Sequence, residues 1–134
     1  MDVEWVLLAS SAMNNADGTV SLLGAGLVNA VVPVLPYPLS FSVVTRVKFD
    51  PSELPTEVHQ RVQFLGAEGN EMGVIDGTLQ LGPPPDPSHP VWINLVQTIV
   101  GVVTVAGGQS VAVSVNGADA KVCPLQVHVR PPES

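Results

Sequence analysis

Three histidines, one cysteine and twelve acidic residues are the chain's entire stock for acid–base, nucleophilic or metal chemistry. His59, His89 and His128 form no pair at a metal-ligand spacing, and Cys123 has no second thiol to complete a ligand set or an intrachain disulfide. A nucleophilic Cys123 would need an activating base. It instead shares the parity of Leu125 and Val127, which predicts a buried, inert thiol. The nearest approach to a site is Asp86-x-x-His89 in GPPPDPSHP, with Glu53 of DPSELP as a third group if the two loops converge. Glu68 and Glu71 fall in a hairpin tip, where two opposed carboxylates in a cleft, as glycoside hydrolysis requires, are not expected. Asp17 in NNADG lacks the ligand spacing of a calcium loop. Gly24-Ala25-Gly26 lacks the third glycine of a dinucleotide fingerprint, because Asn29 stands there and no helix follows. No G-x-S-x-G elbow is present. The expectation is therefore no catalytic, metal or cofactor-binding residues, no cofactor, and a protein that is not an enzyme.

The elements that carry these residues are strands. AGGQSVAVSVNGADAKVCPLQVHV alternates Val111, Val113 and Val115 with Ala112, Ser114 and Asn116. After Asn116-Gly117 it alternates Leu125, Val127 and Val129 with Gln126, His128 and Arg130. This is a hairpin with strands near 110–116 and 121–129, and Ala118 to Ala120 leave room for a loop longer than two residues. Parity predicts that Val58, Val113, Val115 and Val127 are buried, and that Arg61, Gln126 and Arg130 are exposed.

The same period recurs upstream. Val3 to Met13 reads as one strand, and residues 19–32 as another with Gly24 and Gly26 inside it, where glycine marks a bulge or a close approach. Pro33, Pro36 and Pro38 fit a crossing between sheets. Residues 39–49 turn Phe41, Val43, Val47 and Phe49 to one face and Ser42, Arg46 and Lys48 to the other. Residues 57–65, 72–81 and 91–105 follow, separated by loops that include five prolines in GPPPDPSHP. About eight strands at roughly ten-residue spacing predict an all-β fold. Its form is a two-layer antiparallel β-sandwich of the immunoglobulin or C2 kind, one domain over 1–134, with a small barrel as the other possibility.

Charged residues make up 13%, about half the usual share of ~25%, and the net charge is −7. Arg46, Lys48, Arg61, Lys121 and Arg130 form no run, so neither nucleic acid nor a membrane surface is expected as partner. Asp2 and Glu4 stand where a signal peptide would carry a base, and no apolar run reaches membrane-spanning length. A cytoplasmic protein is expected, or a virion component if the chain is phage-encoded. A folded chain of this size exposes roughly 6,700 Å², which so few charges cover thinly. Self-association or a protein partner is the consequence.

Three stretches carry a resemblance: MDVEWVLLASSA, DGTVSLLGAGLVNAVVPVLPYPLSFSVVTRV and INLVQTIVGVVTVAGGQSVAVSVNGADAKVCPLQVHV. They resemble an uncharacterised family of small β-sandwich proteins of actinobacteria and some of their phages. Its pattern has an "LGGG" strand followed by Val-Pro, here residues 23–26 and Val32-Pro33. It closes on a strand of alternating valines before a Gly turn, here Val111 to Gly117, and a last strand with a proline, here Pro124. Ala25, Gly107 and Val111 depart from that pattern, replacing a glycine, a proline and an aromatic. The resemblance implies a sandwich and carries no activity. Together these readings point to a non-enzymatic protein-interaction or structural module, in its sharper form a capsid-decorating protein. The alternative is a small-ligand carrier or cryptic enzyme whose mouth is formed by loops 50–56 and 82–90.

Overall fold

The structure, a computed structural model, describes residues 1–131. Its strands are β1 (Asp2–Ala9), β2 (Ser11–Asn14), β3 (Val20–Leu23), β4 (Asn29–Val32) and β5 (Tyr37–Phe49). They continue as β6 (Thr56–Leu65), β7 (Glu71–Leu81), β8 (Val91–Val103), β9 (Gly107–Val115) and β10 (Ala118–Val129). A 3-10 turn at Pro51–Glu53 is the one helical element among the described residues, and no helix there is long and apolar enough to cross a membrane. The first layer has the order β1-β5-β8 and the second β4-β10-β9-β6-β7. The β2-β3 ribbon lies over β5 and β8 on the outer side of the first layer. This is the expected all-β sandwich.

The strand count rises from about eight to ten because two segments read as single strands are each split. Val3 to Met13 breaks at Ser10, and residues 19–32 break between Leu23 and Asn29. The breaks touch each other. Gly24 and Gly26 take left-handed φ values of 65° and 78°, and a Cβ on Gly24 would fall 2.5 Å from Ser10 Oγ. The chain leaves the first layer after Ala9, forms the ribbon, and enters the second layer as β4.

There β4 pairs with β10 in parallel, from Asn29↔Gln126 to Val32↔Val129, the exception to the antiparallel expectation. Four residues on an edge are oriented by the loop that delivers them, and alternation carries no sign of strand direction.

The 9–10 hairpin also corrects an expectation. Its loop has two residues, with φ of 51° at Asn116 and 79° at Gly117, so Val115 pairs directly with Ala118. The I′ twist matches that of the flanking strands, and the extra residue becomes a bulge between Asp119 and Lys121.

Inward rows of both layers form the core, with Phe41 of β5 meeting Phe64 of β6 edge-to-face at 5.1 Å between ring centroids. Val58, Val113, Val115 and Val127 are buried and Gln126 and Arg130 exposed, as parity requires. Arg61 projects outward but is only partly exposed, because it lies between Asp76 and Glu71. Outward-pointing Ser42 and Val44 are nonetheless buried, because the ribbon covers them. The core divides into a larger cluster around Phe41 and Phe64 and a smaller one around Val47, Phe49, Val58, Leu95 and Val115. Thr45 and Gln60, both buried, stand between them in the inward rows of β5 and β6.

Along one side the layers close tightly. A Cβ on Gly73 of β7 would lie 2.5 Å from the Val100 carbonyl oxygen of β8, and one on Gly101 2.5 Å from the Phe64 ring. On the opposite side the edge of β1 is guarded. Lys121 Nζ donates to the Val6 carbonyl at 3.3 Å, and the Gly26 and Leu27 N–H groups donate to the Leu8 carbonyl.

Candidate functional site

The residues singled out in the sequence are placed apart. Asp86 and His89 pair with each other at 3.4 Å in an exposed loop, and the hydroxyl and N–H of Ser88 hold the Asp86 carboxyl below the usual range. Glu53 is engaged elsewhere, by the Met1 amino group at 2.6 Å and the Asp50 N–H at 2.9 Å, and these lower its pKa. Neither of the two cavities between elements is lined by Glu53, Asp86 or His89. His59 pairs with Asp76 at 3.4 Å and His128 with Asn29 at 3.1 Å, both across neighbouring strands. Glu71 accepts from Gln63 at 2.9 Å, and Glu68 lies at the hairpin tip. Burial pushes the Cys123 thiol up. Among the described residues no three His, Cys, Asp or Glu side chains cluster as metal ligands would.

Two other places bring polar side chains together. The first is the end of the Thr45–Gln60 layer, where β7 and β8 diverge beyond their glycine seam. A cavity of about 200 Å³ opens there, lined by Val58, Gln60, Gly77, Leu79, Leu95 and Gln97 among others. Leu79 points inward yet is 43% exposed. Gln60 Nε2 donates to Thr45 Oγ1, while Gln60 Oε1 and Gln97 Oε1 are buried without a protein partner. Gly77 leaves room for Gln97, whose Nε2 would sit 2.3 Å from a Cβ there.

The second lies on the outer face of the first layer. Alternation turns Arg46 and Lys48 outward on the middle strand, and their neighbours are Trp5 and Asn94 beside Arg46 and Trp92 beside Lys48. A register shift between Val3 and Trp5 puts both Glu4 and Trp5 on this outer side. Glu4 accepts from the Trp92 indole N–H at 2.7 Å and from Arg46 Nε at 3.0 Å, and these bonds, the indole first, lower its pKa. Lys48 Nζ lies 5.5 Å from the Trp92 ring centroid. Both tryptophans are exposed, Trp5 at 37% and Trp92 at 44%.

The β2-β3 turn overhangs this face. Asn94 Nδ2 donates to the Gly18 carbonyl at 3.2 Å, and Asp17 Oδ1 accepts from the hydroxyl and N–H of Thr19. Those two Thr19 bonds lower the Asp17 pKa. Between turn and sheet runs a cleft of about 380 Å³ lined by Trp5, Asp17, Thr19, Leu22, Arg46 and Asn94, with Gly18 and Val20. Asn94 Oδ1 is buried and has no partner among the described residues. Sequence reasoning missed this cluster. Its legible trace was the outward pair Arg46 and Lys48, while the two tryptophans are 87 positions apart in the chain and only strand pairing unites them.

Exposed apolar side chains occur on both layers, with Val28, Val31 and Val122 on or beside β4 and β10, and one group lies beyond the cleft. Met13 and Leu23 on the ribbon's outer face are 61% and 71% exposed, and Val100 and Val102 on the outer face of β8 are 57% and 49% exposed. No curated protein matches the chain. Residues 4–128 match the profile of DUF6941, a family of unknown function, and with nearly its whole described length in that match the chain belongs to this family.

Proposed function

We propose that the chain is a non-enzymatic protein-interaction or assembly module that acts through the ribbon side of its first layer. The observation that carries this reading is the uncharged apolar surface around Met13, Leu23, Val100 and Val102. Their outward neighbours on the same or the paired strands, Ser11, Ser21, Pro38, Ser40 and Thr98, are also uncharged. Neighbouring exposed apolar side chains favour association, and a specific interface buries about 800 Å² per partner. The sharper form is a subunit of a virus particle, where repeated copies would cover this side. Sedimentation at micromolar concentration and a pull-down from the native source test the reading, with Leu23→Asp and Val100→Asp as variants. A complex with a protein, or with a second copy, that both substitutions dissolve supports it. A monomer that captures no protein overturns it.

A further inference from the structure

We propose that the cleft between Trp5 and the β2-β3 turn is a saccharide-binding site. Its chemistry selects the ligand class. The apolar part of the lining is the exposed Trp5 indole together with Val20 and Leu22, and an indole takes a flat apolar face. The rest of the lining carries short polar groups of both kinds. Asp17 and Thr19 offer acceptor and hydroxyl, and Arg46 contributes donors. Arg46 uses Nε on Glu4, and its terminal N–H groups have no hydrogen-bond partner among the described residues.

Asn94 supplies the second, independent observation. Its Nδ2 is committed to the Gly18 carbonyl, which can only accept, so the side-chain orientation is set and Oδ1 is left without a partner among the described residues, on a side chain that lines both this cleft and the cavity near Gln60. A buried acceptor without a donor is costly, and a hydroxyl of a bound molecule would relieve that cost.

The two acids at the site, Asp17 and Glu4, are offset by two bases, Arg46 and Lys48, so the cleft and its surround carry no net formal charge. Neither an anion nor a cation is therefore favoured. A neutral molecule with an apolar ring face and a rim of hydroxyls matches all of these groups, and that describes a pyranose unit. The volume of about 380 Å³ lies at the small end of the 300–1,000 Å³ range of ligand sites, enough for a short oligosaccharide end and no more.

The test is a titration of ¹⁵N-labelled protein with cellotriose, maltotriose and chitotriose, with glycerol as the control. The chain has two tryptophans, so its indole N–H signals number two, and that of Trp92 is told apart by its bond to Glu4. The expected result is a saturable shift of the Trp5 indole signal with at least one trisaccharide and none with glycerol. Trp5→Ala should abolish binding, read from the Asn94 side-chain amide. Arg46→Met, which keeps the stem and removes only a surface ion pair, should weaken it about tenfold, the factor one hydrogen bond is worth. No response to any trisaccharide by the folded protein overturns the proposal, as does an equal response to glycerol or binding that Arg46→Met leaves unchanged. Failure of the protein-capture experiment leaves this result untouched, because neither trisaccharides nor Trp5 enter it.

Discussion

Asn116 and His59 are joined twice. The Asn116 N–H donates to the His59 carbonyl at 2.7 Å, and the His59 N–H donates to Asn116 Oδ1 at 2.9 Å. The turn residue thereby extends the ladder that pairs Gln60 of β6 with Val115 of β9. Its two roles separate by substitution. Asn116→Gly keeps the left-handed φ of 51° and should lose about 0.5–1.5 kcal/mol for the side-chain bond. Asn116→Ala loses the bond and strains the turn as well, so its urea midpoint should fall below that of Asn116→Gly. Equal midpoints would refute the second role.

Gly73 and Gly82 should respond oppositely to alanine. A Cβ on Gly73 meets the Val100 carbonyl, which is backbone and cannot swing aside. The expected loss is about 1–3 kcal/mol by overpacking. Gly82 has no atom within 4 Å of its added Cβ and no left-handed φ, so Gly82→Ala should be neutral or stabilise by up to about 1 kcal/mol through the unfolded chain. Thermal melts of the two variants check the contrast.

The Thr45–Gln60 bridge predicts strong coupling. Thr45→Val leaves the buried Gln60 amide with neither end partnered, at a cost of about 1–3 kcal/mol. Removing both polar groups at similar volume, as Thr45→Val with Gln60→Met, should return stability to within about 1.5 kcal/mol of the natural protein. A double-mutant cycle in urea measures this; a double variant whose loss equals the sum of the two single losses would show that the two side chains are not coupled.

Glu4 predicts an acid-limb effect. Its folded pKa lies below its ordinary value of 4.5, so its contribution is present above that value and is lost as pH falls through the lowered folded value. Replacing it by Gln keeps the shape and removes the charge. The difference in urea midpoint between natural protein and Glu4→Gln should be largest near neutral pH and should vanish in acid. A pH-independent difference would mean that ionisation of Glu4 plays no part.

Much of the fold was legible because a strand's side-chain parity is a local property. Val111, Val113 and Val115 had to share a face whatever they packed against, and Asn116-Gly117 carried the conformation its turn needs. The same logic turned Arg46 and Lys48 outward on β5. Parity is silent on the other face's cover, so the burial of Ser42 and Val44 beneath the ribbon was not legible. It is equally silent on which strands are neighbours. The Glu4–Trp92 bond spans 88 positions and exists because β1 and β8 flank β5.

Two features in particular belong to the tertiary structure alone. The register shift at Glu4 breaks the alternation that would otherwise carry Trp5 to the face of Val3. The split of residues 19–32 arises where Gly24 backs onto Ser10, a contact between distant segments that no local propensity encodes. Alternation along one strand determined what each side chain would face, core or exterior. Which side chains meet on that exterior was decided by pairing and layer packing, because those are long-range choices, and the cleft beside Trp5 is one of their products.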